Sequence, residues 1–316
     1  MQEVSVILNA RLLCIFAFTF AIHPLIKMKG VFLMNTEKNK EKWIEKVHEN
    51  LVLRGRSENT YRNYRCALLK FLNYFDDKTN IKSLKEKNII DFLNEEYIKP
   101  NKCKDTYNLA VCSIRLFYLI CFNISLNRLL IPTCKLSKKL PTILIKKDFF
   151  NIFNHEKSLK HRCWLLLGFC SGLRVSEVAN LKVEDIFSTE HKIKVENGKG
   201  NKERYTLLPD VTIKFLRLYC KERNIRSGYL FPGTNNNEVM NTTTIINYFS
   251  MIKKTYNLNK NISFHSLRHA FATYYLLNGG SLLTLQSMLG HKSLNTTIIY
   301  IHLALNFNNL EGVKYV

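Results

Sequence analysis

The chain has 316 residues, of which 46% are hydrophobic and 23% are charged. This composition is typical of globular proteins and excludes intrinsic disorder or a collagen-like repeat as the main state. The length corresponds to about two domains of roughly 100–200 residues each. Lysine and arginine number 47 against 25 acidic residues, so the formal net charge is +22, and both halves of the chain are basic. A charge of this size indicates nucleic acid as the first candidate partner, and a basic chain with no polyanionic partner is the alternative.

The 9 cysteines are scattered along the chain, and no Cys-x-x-Cys pair occurs. An odd and scattered set predicts neither a disulfide framework nor a structural zinc site. We interpret most of these cysteines as small buried hydrophobic residues in a reducing, cytoplasmic compartment. No cofactor is expected from the sequence.

The first residues of the chain, 1–34, contain an apolar run at Leu12–Ile22 that is bounded by Arg11 and His23. The run is much shorter than the roughly 20 residues that a membrane-spanning helix needs. It resembles the core of a signal peptide, but no small-residue cleavage site follows it. We therefore expect residues 1–34 to be an over-extended start or a leader outside the fold, with a weakly membrane-associating segment as the alternative.

Helical spacing of apolar residues predicts four helices in the following part of the chain. They cover Glu37–Val52, a segment that begins after Ser57, Asn88–Ile98 and Asp105–Phe122. Ser57 is a favourable N-cap residue for the second of them. Together these helices predict a basic helical domain over residues 35–128.

Aromatic and basic residues are mixed in the second predicted helix. We interpret Tyr61, Tyr64 and Phe75 as core residues, and stacking on nucleic-acid bases is the alternative. The cations between them are interpreted as contacts to phosphate, which position a nucleic acid without reading its sequence. These candidate binding residues are Arg62, Arg65 and Lys70.

Residues 129–142 contain Pro132 and Pro141 together with a group of lysines. Because proline interrupts helices and extends the chain, this segment is predicted to link two domains. Lys138 and Lys139 in the linker are further candidates for contacts to phosphate.

The remaining residues, 143–316, are predicted to form a second domain. Lys192–Glu196 alternates like a strand, and Tyr205–Leu208 returns as its partner after a glycine-rich turn. Lys199 is placed near the tip of that turn, from which it could reach a ligand. A solvated turn lysine is the alternative reading of Lys199.

Two histidines and an arginine share one face of a predicted helix, since His265, Arg268 and His269 are spaced by three and four. The histidine pair superficially resembles a metalloprotease helix. That motif needs a glutamate directly after the first histidine, where this chain has Ser266. No metal site is predicted, and a metal hydrolase is kept only as a minor alternative.

Short motifs that contain these residues occur in a defined order along the chain. They are Gly-Leu-Arg-Val-Ser-Glu at 172–177, Gly-Lys-Gly-Asn-Lys-Glu-Arg at 198–204, His-Ser-Leu-Arg-His at 265–269, Leu-Gly-His at 289–291 and Tyr300. In this order, from about residue 37 onward, the chain resembles the tyrosine recombinase, or phage integrase, family, with a layout closest to the Xer type. The resemblance implies a mainly α fold. An N-terminal helical SAM-like core-binding domain and a mostly helical catalytic domain with a small antiparallel β-sheet would form a C-shaped clamp on DNA.

The resemblance also implies a site-specific recombinase that cleaves DNA with a tyrosine, leaves a 3′-phosphotyrosine, and rejoins the strand without ATP, metal or cofactor. Tyr300 would be the nucleophile, and Lys199 would protonate the leaving 5′-oxygen. His265 would assist proton transfer and orient the phosphate, and His291 would donate a hydrogen bond to it.

Two arginines complete the implied catalytic set. Arg174 and Arg268 would clamp the non-bridging phosphate oxygens, because guanidinium geometry matches that of phosphate. Glu177 could hold Arg174 in place, and a plain surface charge is an equal alternative. His269 is interpreted as a packing or supporting residue.

Double-stranded DNA is the partner implied by the family. Strand exchange needs four active sites, so we expect a monomer in the free protein and a homotetramer on paired sites, with accessory recombination factors as further partners. The final segment, Ile301–Val316, shows no clear full-length helix of its own. It is expected to pack on a neighbouring protomer, or to fold back on its own domain. A type IB topoisomerase and a non-catalytic DNA-binding protein derived from an integrase are the alternative functions.

Overall fold

The computed structural model describes residues 34–135, 140–196, 203–233 and 238–311, with side chains described as far as residue 306. Its contacts divide the chain into two compact units, with the division between Ser137 and Lys138. The predicted leader lies outside the described residues except for Met34, which forms an isolated β-bridge with Asn80. The predictions for the rest of the leader therefore remain predictions.

Four α-helices form the first unit as described. They are α1 (Glu37–Leu53), α2 (Glu58–Leu72), α3 (Glu86–Leu93) and α4 (Lys104–Phe122). A 3₁₀ turn at Ile81–Ser83 precedes α3, and a π-helical turn at Asn94–Ile98 follows it. The predicted N-cap is present, because the Ser57 hydroxyl accepts a hydrogen bond from the backbone N–H of Thr60 at 3.4 Å.

Aromatic side chains fill the centre of this unit. Phe71 and Phe117 are fully buried, and Trp43 packs edge-on against Phe117 with the ring centroids 5.8 Å apart. Edge-to-face packing of this kind is favourable for aromatic pairs. Partly buried against the same core are Tyr61, Tyr64 and Phe75. Their packing supports the interpretation of these three residues as core.

The described part of the second unit contains eight α-helices. They are α5 (Lys146–His155), α6 (Leu159–Phe169), α7 (Val175–Asn180), α8 (Asp210–Arg223), α9 (Thr242–Thr255), α10 (Phe264–Leu277), α11 (Leu282–Leu289) and α12 (Asn295–Glu311). Helix α6 is central, since Cys163 and all residues from Trp164 to Leu167 are buried. Helix α10 lies against it at Gly168, where an added Cβ would be 2.8 Å from the Leu267 side chain. This close approach places α10, which carries several motif residues, directly on the core.

A small antiparallel sheet accompanies these helices. Its strands are β1 (Ile186–Phe187), β2 (Lys192–Val195) and β3 (Arg204–Leu207), in the order β1-β2-β3, and a 3₁₀ turn at Val183–Asp185 precedes β1. Ile193 and Val195 are buried while their neighbours are not, so the predicted alternation of β2 is confirmed. Val195 pairs with Arg204, which points the side chain of Arg204 inward. The turn that carries Lys199 lies outside the described residues.

The end of the chain differs from the prediction, because α12 runs without interruption from Asn295 to Glu311. Leu303 is buried and packs with Phe271, Leu285 and Leu289. Helices in proteins gain most of their stability from tertiary packing. Packing on α10 and α11 thus stabilises a helix that its own apolar spacing does not predict.

The interpretation of the cysteines as mostly buried holds only in part, because four of the described cysteines are partly buried against the hydrophobic cores. Of the cysteines in the described ranges, Cys163 is the one that is fully buried, whereas Cys66, Cys103 and Cys112 are exposed. Cys66 and Cys112 lie on α2 and α4, where the helical period turns them away from the core although their sequence neighbours are apolar. All the described cysteines are free thiols.

Within the described ranges, no helix combines the length and apolarity that crossing a lipid bilayer requires.

Candidate active site

Arg174 stands at the N-terminus of α7, directly after a tight turn. Gly172 in that turn has φ +66°, and a Cβ there would lie 2.4 Å from the Phe271 ring. A glycine is therefore required both by the backbone conformation and by the close approach of α10. The backbone N–H of Arg174 donates to Glu177 at 2.8 Å, and its guanidinium donates to the other oxygen of the same carboxylate at 2.7 Å. This double contact fixes the start of α7 and the arginine together.

Arg268 on α10 is completely buried. Its guanidinium donates to the backbone carbonyl of Gly172 at 2.7 Å and to that of Leu289. Arg174 donates to the same Leu289 carbonyl at 3.4 Å. The two predicted phosphate-binding arginines, which are far apart in sequence, are therefore brought together at the C-terminal end of α11.

The buried Arg268 has one donor, Nε, without a hydrogen-bond partner among the described residues. Burial lowers the pKa of its guanidinium, and so does the positive charge of Arg174. Unpaired buried donors are costly, and buried charges are normally compensated. An anion bound between the two arginines would supply the missing acceptor and the missing negative charge.

Glu177 holds this cationic cluster together. Its side chain is only 7% exposed, and its oxygens lie 2.7 Å from Arg174, 2.7 Å from Arg204 and 3.6 Å from Arg268. Burial by itself would raise the pKa of Glu177, but the hydrogen bond and charge of Arg204, with the charge of Arg268, lower it to about 2. The alternative of a plain surface charge is wrong. One carboxylate facing three guanidiniums leaves a net positive site suited to phosphate.

Arg204 is the residue of this site that the sequence analysis missed. It begins β3 and is buried, and it donates to the Met288 carbonyl at 2.7 Å in addition to Glu177. A Cβ at Gly290, which has φ +65°, would come within 2.9 Å of the Arg204 side chain. The sequence signal for Arg204 was its place as the last residue of the motif at 198–204, directly before the predicted strand.

Tyr300 lies on α12 and is 2% exposed. Its hydroxyl is 2.9 Å from Nδ1 of His269. The ring of His291 is nearly parallel to the tyrosine ring, with the centroids 6.2 Å apart. Burial raises the pKa of Tyr300, while the charges of Arg268 and Arg174 oppose that change, so the phenol is protonated at neutral pH in the free protein.

Histidines surround the tyrosine and the arginines. His291 follows the left-handed Gly290 at the end of α11, and its Nδ1 is 2.9 Å from the Thr297 hydroxyl. The rings of His265 and His269 meet edge to face at 4.5 Å. Burial and the charge of Arg268 lower the pKa of His265, and burial with Arg268 and Arg174 lowers that of His291 to about 4. His291, and His269 with a pKa of about 3, are therefore neutral at pH 7, and the lowered pKa of His265 favours its neutral form.

An open cavity of about 450 Å³ adjoins this cluster. Arg174 and His265 line it together with Ser176, Phe264 and Lys253. The site is therefore accessible from solvent at its arginine and histidine side, although Tyr300 is buried. Across the described ranges, no three His, Cys, Asp or Glu side chains are grouped so that they could hold a metal ion.

The other predicted binding residues differ in whether the structure describes them and in how exposed they are. Lys199, Lys138 and Lys139 fall outside the described residues. In the first unit Arg62 and Arg65 are exposed on α2, and Arg62 lies 3.5 Å from Glu58. Lys70 is paired with Glu96 and lies 4.9 Å above the Tyr97 ring. The ammonium group of Lys70 thus already has partners within its own unit.

Comparison with known families identifies two matching regions. The sequence model described as the phage integrase family matches residues 145–306. The model described as the phage integrase N-terminal SAM-like domain matches residues 43–123.

Curated relatives cover most of the chain. A tyrosine recombinase of Thermosipho africanus is 29% identical over 84% of this chain and 96% of its own length. Tyrosine recombinase XerA of Pyrococcus furiosus is 32% identical over 81% of this chain and 88% of its own length. Tyrosine recombinase XerD of Oceanobacillus iheyensis is 31% identical over 79% of this chain and 89% of its own length.

Solved structures share the fold. The XerH site-specific recombinase bound to a palindromic difH substrate has a TM-score of 0.67 at 22% identity, covering 88% of this chain and 84% of that one. A lambda integrase dimer bound to a COC′ core site also has a TM-score of 0.67 at 22% identity, covering 82% and 76% of the two chains. The predicted mainly α fold with a SAM-like N-terminal region and a small antiparallel sheet is confirmed.

The matched family region spans just over half of the chain, and relatives above 30% identity align with about 80% of it. These matches agree with the arginine, histidine and tyrosine constellation around Glu177. The chain belongs to the phage integrase family and is a site-specific tyrosine recombinase.

Proposed function

We propose that Tyr300 attacks a DNA phosphate and forms the covalent 3′-phosphotyrosine through which this recombinase cleaves and rejoins strands. The observation that carries the assignment is the convergence of Arg174 and Arg268 on one buried carboxylate, where the charges of both arginines act on Tyr300. This arrangement provides fixed positive charge where phosphoryl oxygens gain negative charge. The relatives do not favour the topoisomerase or the non-catalytic alternative.

The proposed displacement proceeds as follows. The Tyr300 hydroxyl gives its proton to His265, and its oxygen forms a bond to phosphorus while the bond from phosphorus to the 5′-oxygen breaks. Arg174 and Arg268 bind the two non-bridging oxygens, and the unpaired Nε of Arg268 is one of the available donors. Lys199 gives a proton to the departing 5′-oxygen, and the reverse sequence with another strand's hydroxyl rejoins the DNA.

Two histidines complete the proposed active site. His265 lines the open cavity next to Arg174, and this position supports a role at the entering phosphate. We assign it proton transfer and orientation of the phosphate. His291 is assigned a hydrogen bond to a phosphate oxygen, and its contact with Thr297 through Nδ1 leaves Nε2 for that purpose.

Residues 35–128 are proposed as the core-binding domain, 129–142 as the linker and 143–316 as the catalytic domain. The family regions at 43–123 and 145–306 support these bounds. In the first domain, Arg62 and Arg65 are the preferred phosphate contacts, since Lys70 has an internal partner. Lys138 and Lys139 in the linker are retained as candidates.

Double-stranded DNA is the proposed partner, and the net charge of +22 supports it. We propose a monomer in the free protein and a homotetramer on paired sites, with accessory factors as further partners. A related fold in a lambda integrase tetramer bound to a Holliday junction, with a TM-score of 0.66 at 20% identity, supports a tetrameric assembly.

The assignment of Tyr300 is tested with a nicked half-site that traps the covalent intermediate. The wild-type chain should form a protein–DNA adduct that survives denaturing electrophoresis, and Tyr300→Phe should form none while binding the half-site normally. Tyr275→Phe is the matched control, because Tyr275 is half-buried in the same hydrophobic cluster as Tyr300. An adduct formed by Tyr300→Phe would show that another residue is the nucleophile.

A further inference from the structure

The hydroxyl of Tyr300 has a specific partner that the catalytic assignments do not use. Nδ1 of His269 lies 2.9 Å from it, and among the described residues no other side chain makes a hydrogen bond to this hydroxyl. His265, Arg174 and Arg268, although part of the proposed active site, make no such bond. Among the described residues, the side-chain partner of this hydroxyl therefore lies outside the assigned catalytic set.

His269 itself makes several contacts within its unit. It lies on α10 one turn after His265, in a helix that packs on the core at Gly168. The Thr273 hydroxyl, which is buried, donates to the backbone carbonyl of His269 at 2.9 Å. The His265 ring meets the imidazole edge to face with the centroids 4.5 Å apart, and the Tyr300 ring centroid lies 5.7 Å from that of the imidazole. The imidazole thus packs against two rings next to the hydroxyl that it contacts.

The direction of the hydrogen bond follows from the protonation states. Burial lowers the pKa of His269 to about 3, together with the charge of Arg268 and the charges that His265 and His291 carry once protonated, so its imidazole is neutral over the working range of pH. The pKa of Tyr300 is raised, so the phenol keeps its proton. The phenol therefore donates and Nδ1 accepts, with the imidazole proton on Nε2. The large separation of the two pKa values favours a positioning role over full proton removal by His269.

We propose that His269 is a positioning residue for strand cleavage, whose Nδ1 accepts the Tyr300 hydrogen bond and so directs an oxygen lone pair toward the phosphate. A hydroxyl with no acceptor rotates freely, and its lone pairs then point toward phosphorus only part of the time. Precise orientation of reacting atoms accounts for a large part of enzymatic rate enhancement. The proposal rests on Tyr300 being the nucleophile.

The test uses three variants of the full chain that differ in where an acceptor remains. His269→Asn places its amide oxygen near the position of Nδ1. His269→Gln places its amide near the position of Nε2 instead, and His269→Leu has no acceptor. The single-turnover rate of adduct formation on the nicked half-site is measured at saturating protein, with half-site affinity from gel shifts and folding from thermal melts.

We expect His269→Asn to keep a rate within about 3-fold of the wild type, because the acceptor position is retained. His269→Gln and His269→Leu should be slower by about 30- to 100-fold with unchanged half-site affinity. A purely structural role would not separate Asn from Gln, since both are polar amides that would disturb packing.

The outcomes distinguish this inference from the assignment on which it rests. Tyr300→Phe forming an adduct would overturn the assignment of the nucleophile. If Tyr300 is required but the Gln variant reacts at the wild-type rate, the positioning role alone is overturned. Equal losses in the Asn and Gln variants would also overturn it, because the position of the acceptor would then not matter. If the Leu variant fails to fold, the rates of the Asn and Gln variants still decide whether the position of the acceptor matters.

Discussion

Removal of the charge on Glu177 should destabilise the catalytic unit strongly. Glu177→Gln keeps the shape of the side chain but leaves Arg174, Arg204 and Arg268 without their shared counter-charge. The pKa of Glu177 falls from its ordinary value of 4.5 to about 2 in the folded chain. Since one pKa unit corresponds to about 1.4 kcal/mol, the carboxylate contributes roughly 3 kcal/mol to the free energy of unfolding at pH 7.

The pH dependence gives this prediction its specific signature. Because the folded pKa lies below the ordinary value, the stabilisation is fully present above pH 4.5 and is lost as the pH falls toward 2. The difference between wild type and Glu177→Gln should therefore be constant from about pH 7 to about pH 5.5 and shrink below pH 4.5. At low pH both chains carry a neutral side chain at this position, so their stabilities converge.

Urea unfolding of the full chain, followed by circular dichroism at several pH values, measures this difference. Glu222→Gln on the exposed side of α8 is the matched control, and it should change the free energy of unfolding by less than about 0.5 kcal/mol. A Glu177→Gln chain as stable as the wild type at pH 7 would refute the reasoning. A difference that stays constant down to about pH 3 would also refute it, because the effect would then be steric rather than electrostatic.

Two further predictions follow from the turn before Arg174 and from the general acid. Gly172→Ala should destabilise the chain by about 3 kcal/mol, because the new Cβ meets the Phe271 ring at a left-handed backbone position. Gly279→Ala is the control and should cost only about 1 kcal/mol, because Gly279 is also left-handed but a Cβ there meets open space. Similar melting temperatures for the two variants would contradict this prediction. Lys199→Ala should slow cleavage of an ordinary half-site by at least about 100-fold. A substrate with a 5′-bridging phosphorothioate should restore most of the rate, because its sulfur leaves without a proton. Equal defects on both substrates would show that Lys199 is only a binding residue.

The family and the identity of the catalytic candidates could be predicted from the sequence alone. The motifs at 172–177, 265–269 and 289–291 are short stretches of sequence, and their residues and order can be recognised without knowing how the chain folds. The number of helices in the first unit was likewise predictable, because the helical period and the Ser57 cap are local properties of the chain. The predicted third helix, Asn88–Ile98, is divided in the structure, where the α-helix ends at Leu93 and a π-helical turn follows. The alternation in β2 was visible for the same reason.

What the tertiary structure alone decided is which of these residues meet and in what state. Arg204 reaches Glu177, and His269 reaches Tyr300, through contacts between elements that are distant in sequence. Such contacts depend on how α10 packs on α6 and α12 and on how α11 packs on β3, and no local pattern records that packing. Burial then sets the protonation states, because it lowers the pKa of His269 and raises that of Tyr300. The full length of α12 was decided in the same way, because its own apolar spacing does not predict a helix and its packing against α10 and α11 stabilises one.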